Sequence, residues 1–187
     1  MIELTGYAAL YRPRGLGLAY GRPMRRALRR DDLLGAAGEH FDPDFPLHRV
    51  GRWRQSVGAR AFARLPPFIA ATTAQAQSRL PALATLPGVT VFRDDGGTWP
   101  YFMLLLPDRT TRDAVLARLW SSRHGVARMF IHALPGYDYL GGMAGGEDVP
   151  NAHDFAARTL TITNSPWLDD PAFEHVCSVI EAVLVSR

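Results

Sequence analysis

The feature that most constrains the fold is a change in apolar period at Pro87. Between 49 and 86 the apolar residues recur at helical spacing: Val50, Trp53, Val57, Phe62 and Leu65, then Ile69, Ala76, Leu80 and Leu83, with the small Thr73 on the same face. This pattern predicts two consecutive helices joined at Pro66-Pro67, with Pro81 kinking or restarting the second. Beyond Pro87 the period shortens. VTVFRD (89–94) and WPYFMLLLP (99–107), joined by a Gly-containing loop, predict a β-hairpin. TTRDAVLARLWSSRHG predicts a helix capped by Thr110 or Thr111 and ended by Gly125. VARMFIHAL (126–134) is a third strand candidate, a short helix starts near Ala152, LTITN (160–164) is a fourth strand, and a last helix spans about 170–185.

Strand, strand, helix, strand, helix, strand, helix is the order of an α/β sandwich: one small antiparallel or mixed sheet covered by helices on one face. Strand alternation places Phe102, Leu104, Phe130, Leu160 and Ile162 in its core. Residues 1–48 differ. Scattered Pro, Gly and Arg predict a partly helical N-terminal arm over 1–30, broken at Pro13 and Pro23, then a turn-rich linker over 31–50. The expected organisation is therefore an Arg-rich arm at 1–48, packed loosely or against a partner, and an α/β domain at 49–187.

Charge follows the same division. Residues 1–64 hold 12 Arg against 6 Asp and Glu, and residues 65–187 hold 9 Arg against 12. The basic excess is concentrated in RPMRRALRR (22–30), whose five arginines suit anionic groups. A solvated helix face or a protein contact explains them better, and without aromatic-interleaved basic strands or zinc knuckles no nucleic-acid partner is expected. All 21 basic residues counted as Lys+Arg are arginine. Schiff-base catalysis on a side-chain amine, a phosphate-loop lysine and a lysine general base are thereby excluded from this chain.

A single cysteine, Cys177, rules out an intramolecular disulfide and fits a reducing, cytoplasmic compartment. Glu3 precedes the first apolar stretch and arginines follow it, which is not the order of a secretory signal. No apolar run approaches the roughly 18 residues of a membrane span, so no membrane partner is expected.

The six histidines form no metal-binding spacing, and no metal site is expected. His132 stands apart, because alternation along MFIHALP would aim it and Arg128 from one face toward a Gly-rich loop. GGMAGG (141–146) is followed by Glu147 and Asp148 where an anion would sit, so it reads as a mobile loop rather than a phosphate cradle. No serine lies in a GxSxG elbow. Asp94/Asp95 and Asp169/Asp170 read as turn and N-cap residues. No catalytic or cofactor-binding residue is assigned.

Four phrases in order resemble the C-terminal half of the DegT/DnrJ/StrS family of PLP-dependent sugar aminotransferases, over about 45–185. FPLHRVGRWRQSVGARAFARL is similar to the family's Asn-x-Arg-Met phrase and the helix after it, with Arg49 and Gly58 matching and Gln55 one place off. SRLPALATLPGVTV looks like the long helix ending before the first small-domain strand, and GGTWPYFMLLLPDRTTRDAVLARLWSSRHGVARMFI like the strand, helix and strand that come next. VPNAHDFAARTLTITNSPWLDDPAFEHVCSVIEAVL is similar to the closing phrase.

The resemblance implies a type I aminotransferase small domain without the large domain that carries the lysine and holds PLP. Leu47 stands where the family has an asparagine that reaches the neighbouring subunit's cofactor phosphate, and an apolar side chain cannot donate that bond. Arg49 fits the family arginine and is a candidate for facing an anionic group across a dimer interface, or for pairing with a local carboxylate. Two readings follow. In the first the chain is a fragment, split or degenerate member that binds no PLP alone and needs a lysine-bearing large domain or a homo-oligomer, with a nucleotide sugar as the implied substrate. In the second it is a non-catalytic binding or assembly module that works through its Arg-rich segment.

Overall fold

The computed structural model describes residues 6, 13–38, 47, 49–94, 96–140 and 148–186. Three short helices open the described chain: α1 (Pro13–Ala19), α2 (Gly21–Leu28) and α3 (Leu33–Ala37). Next come α4 (Arg52–Phe62), the 20-residue α5 (Leu65–Ala84), β1 (Thr90–Val91), β2 (Tyr101–Leu105), α6 (Arg109–Leu119) and β3 (Val126–Ala127). Two 3-10 turns (Leu134–Gly136 and Asp138–Leu140), α7 (Pro150–Arg158), β4 (Thr159–Thr163) and α8 (Asp170–Val185) complete the order.

The sheet is antiparallel throughout, in the order β1-β2-β4-β3. The β2–β4 pairing sets Phe102 opposite Ile162 and Leu104 opposite Leu160, so the period-2 pattern of both strands delivers one apolar face. All four of those side chains are fully buried. Ala76 and Leu83 of α5, Val115 and Leu119 of α6, and Phe173, Val176 and Ile180 of α8 join them in one cluster. The molecule is thus a small sheet with helices packed on that face, as the element order predicts.

Polar side chains fasten the layers. Asn164, buried at the end of β4, donates from Nδ2 to the carbonyls of Thr72 (2.8 Å) and Trp99 (2.9 Å) and accepts from Gln75 Nε2 (3.0 Å). One amide therefore ties the middle of α5 to two ends of the sheet. Arg79, also buried, donates to Leu168 O (2.6 Å) and Asp170 Oδ1 (2.7 Å) and lies 4.8 Å over the Phe173 ring, which couples α5 to the start of α8. Arg112 on α6 donates to Asp113 Oδ1 (2.7 Å) and Ala156 O (3.1 Å), which couples α6 to α7.

Several expectations are corrected. The third strand is two residues, not nine. Val126 and Ala127 pair with Ile162 and Thr161, and Arg128 then turns its side chain back, donating to the carbonyls of Phe130 (2.8 Å) and Ile131 in place of a ladder partner. Phe130 consequently leaves the sheet core, and its half-buried ring sits 5.9 Å from Phe155. Asp108, rather than a threonine, caps α6 by accepting from Thr111 N (2.9 Å). Pro81 stays inside α5, because the proline lies on the exposed side while Arg79 and Leu83 are anchored in the core. Pro13 and Pro23 fall in the first turns of α1 and α2, where the missing N–H costs nothing.

The expected linker holds α3, capped by Asp32 and closed by Gly38 at φ +74°. Met24, Leu28, Leu33 and Leu34 pack half-buried against the core, so the described part of the arm is not detached. The GGMAGG loop lies outside the described residues.

Candidate functional site

Three surface features have chemical content, and they involve different residues. The first is a basic groove of about 570 Å3. Arg25 and Arg29 of α2, Arg109 of α6 and Arg128 after β3 line it, beside Leu116 and Trp120. Arg128 is half-buried and fixed by its bonds to the Phe130 and Ile131 carbonyls. Asp113 also lines the groove, and its carboxylate faces both Arg112 Nε (2.7 Å) and Arg109 Nε (3.5 Å). Burial lowers the Arg112 guanidinium from its ordinary pKa, while Asp113 acts to raise it.

The second feature is an apolar concavity of about 610 Å3, lined by Phe130, His132, Leu134, Tyr137, Tyr139 and Phe155 among others. His132 is exposed at this site, its ring 5.4 Å from Tyr137 in an edge contact, and its backbone N–H points to the Tyr137 hydroxyl at 3.4 Å. Arg128 and His132 were expected on one face of a strand. They line different cavities instead, because the strand ends at Ala127 and the chain turns between them.

The third feature is the outer surface of α4 and of the first turns of α5. Trp53 (47% exposed), Val57, Phe62 (72%), Leu65 and Phe68 (53%) are all solvent-exposed there, and α4 buries no residue. Arg49 lies exposed two residues before the N-cap Gly51. Helical periodicity found this apolar line and predicts two helices, without saying what covers their apolar face. No acidic residue occurs from 47 to 93, so the face is both apolar and basic.

Nucleophilic chemistry has little to work with. The Cys177 thiol is pushed up to about 11 by burial, which keeps it protonated and unreactive near neutrality. The His124 ring stands 5.2 Å from that of His175, and burial followed by repulsion from His175 lowers its pKa against the pull of Asp169. Among the described residues no group of three or more His, Cys, Asp or Glu is placed to hold a metal ion, and no helix is long and apolar enough to cross a membrane.

Comparison with known proteins places the architecture. No protein-family model and no curated protein matches the chain. Solved structures share its fold, two of them as follows. The crystal structure of 3-amino-5-hydroxybenzoic acid (AHBA) synthase superposes with a TM-score of 0.55 at 17% identity, covering 67% of this chain and 36% of that one. The aminotransferase TlmJ from Streptoalloteichus hindustanus superposes with a TM-score of 0.56 at 24% identity, covering 86% of this chain and 45% of that one. The fold is aminotransferase-like. This chain spans less than half the length of either neighbour.

The groove, the concavity and the α4 face also test whether the chain's own residues suit the PLP that its sequence resemblance implies. They do not. A Schiff base needs a primary amine, and the chain has no lysine. Among the described residues the apolar concavity offers aromatic walls but no guanidinium for a phosphate, and the basic groove offers guanidiniums but no amine.

Proposed function

We propose that this chain is an aminotransferase-related domain of the DegT/DnrJ/StrS type that is catalytically silent by itself and works in sugar aminotransfer only when a lysine-bearing large domain covers its α4 face. The observation that carries the reading is the row of exposed apolar side chains on α4 and the start of α5. Burying a side chain the size of Phe or Leu contributes about 1.5–3 kcal/mol, so a row of them left in water is a surface that gains from a partner's cover. The share of each neighbour that this chain spans leaves room for a second body of similar size. In this reading the chain contributes shape and a basic rim that includes Arg49, while the amine, the cofactor site and the proton transfers belong to the large domain.

The test combines mass spectrometry with reconstitution. The purified chain incubated with PLP and reduced with borohydride is expected to carry no stoichiometric adduct. With a lysine-bearing large domain of the same family added, an adduct is expected on the large domain together with turnover of an amino sugar. Trp53→Glu with Phe62→Glu is expected to abolish the complex. A site-specific adduct on this chain alone, or a complex and turnover unaffected by the double variant, would contradict the proposal.

A further inference from the structure

The basic groove is built entirely from this chain, so what it binds does not depend on the docking reading. Its arginines come from three separate places: Arg25 and Arg29 from α2, Arg109 from the first turn of α6, and Arg128 from the turn after β3. Folding therefore gathers cations that lie up to about a hundred residues apart in sequence around one concavity, against their mutual repulsion. A merely solvated helix face needs no such convergence.

The opposing charges are few. Asp31 and Asp113 line the same groove, but Asp113 already accepts from Arg112 and faces Arg109. Arg112 is buried, so the carboxylate has a permanent counter-ion from inside the molecule. Among the described residues what remains is a net positive groove whose volume of about 570 Å3 lies in the range of small-molecule sites. Its walls are mixed, since Leu28, Leu116 and Trp120 give it an apolar side.

We infer that this groove binds a small organic phosphate monoester, with the phosphate held among Arg29, Arg109 and Arg128 and a compact apolar body lying on the Leu116 and Trp120 side. Guanidinium forks match phosphate oxygens two at a time through charge-assisted bonds. The concave shape favours a small ligand over a nucleic-acid strand, which would use cations spread along a face.

Calorimetric titration of the full chain at fixed ionic strength tests this, with phenyl phosphate, inorganic phosphate and benzoate as probes. Saturable 1:1 binding of phenyl phosphate is expected, about tenfold or more tighter than either of the other two. Arg29→Ala and Arg109→Ala are each expected to weaken it about tenfold or more, Arg29→Lys less, and Arg60→Ala on α4 not at all. Arg29 and Arg109 are exposed, so unchanged melting temperatures of the two variants separate lost binding from lost folding. The inference is overturned if phenyl phosphate shows no saturation up to about 10 mM. It is equally overturned if Arg60→Ala weakens binding as much as Arg29→Ala does, which would mean diffuse charge, or if a single-stranded oligonucleotide displaces the probe at lower concentration.

Discussion

The two halves of α5 are one continuous helix with opposite fates. From Thr72 onward it is a core element: Thr72, Ala76, Arg79 and Leu83 are buried, and Asn164, Leu168 and Asp170 hold it to the sheet and to α8. Before Thr72 none of its residues is buried, and Leu65 and Phe68 stand in water beside the wholly unburied α4. The stretch before Thr72 (LPPFIAA) is the more apolar of the two and yet the less buried, so composition does not decide which half packs. What separates them is whether this chain supplies a surface to pack on, which makes the first half a candidate interface and the second a foundation.

The comparison can be broken most forcefully from the core side. Leu104→Ala or Ile162→Ala is expected to cost about 2–5 kcal/mol in denaturant unfolding, because each leaves a cavity beneath a sheet that cannot collapse. Losses within about 0.5 kcal/mol would mean that the sheet face had been misplaced. Asn164→Ala comes next. It removes the donor to the carbonyls of Thr72 and Trp99, and a loss of about 1–3 kcal/mol is expected. Restoration by Asn164→Asp would contradict the account, since the two bonds to carbonyls need a donor.

Gly125→Ala is a backbone test of similar rank. Gly125 sits at φ +66° where the chain turns into β3, and a Cβ there would run into the Thr163 methyl. A loss of about 1–3 kcal/mol is expected.

Acid should act through His124. Its pKa is lowered in the fold, so the unfolded chain binds more protons, and stability should fall as pH drops through the unfolded value near 6.5. His124→Gln should flatten that part of the pH profile of thermal unfolding, and an unchanged slope would remove His124 as its cause. The smallest effect is the most telling one. Phe62→Ser and Trp53→Ser, on the exposed half, should change the stability of the isolated chain by no more than about 0.5 kcal/mol.

Much of the packed half was legible in the sequence, because its signals are local. The last helix is found where Asp169 caps it and apolar spacing continues to Val185. The Pro66-Pro67 junction marks the start of α5, and the alternation of β2 and β4 predicts four of the five expected core residues. The misses are tertiary. Pro81 reads as a break because propensity does not know that Leu83 is anchored, and VARMFIHAL reads as a strand because nothing local shows that Arg128 will take the carbonyls the ladder needs. Asn164 carries no sequence signal of its role, since its partners lie about 65 and 90 residues away.

The candidate sites were less legible. Strand alternation aims Arg128 and His132 from one face, whereas the turn after Ala127 divides them between two cavities. The α4 stripe is legible as an apolar helix face, but periodicity reports a face and not its occupant. Arg109 joined the groove unannounced, because a first-turn arginine looks like any surface residue until α2 is packed against it.

Hydrogen exchange of the full chain, alone and with a lysine-bearing large domain, tests the central claim most directly. Alone, amides of β2, β4 and α8 should exchange only through global unfolding, whereas those of α4 should exchange far faster through local opening. With the large domain present, α4 and the first turns of α5 should gain protection while the sheet is unchanged. Protection of α4 in the isolated chain equal to that of β2, or a complex that protects other surfaces and leaves α4 open, would contradict the account.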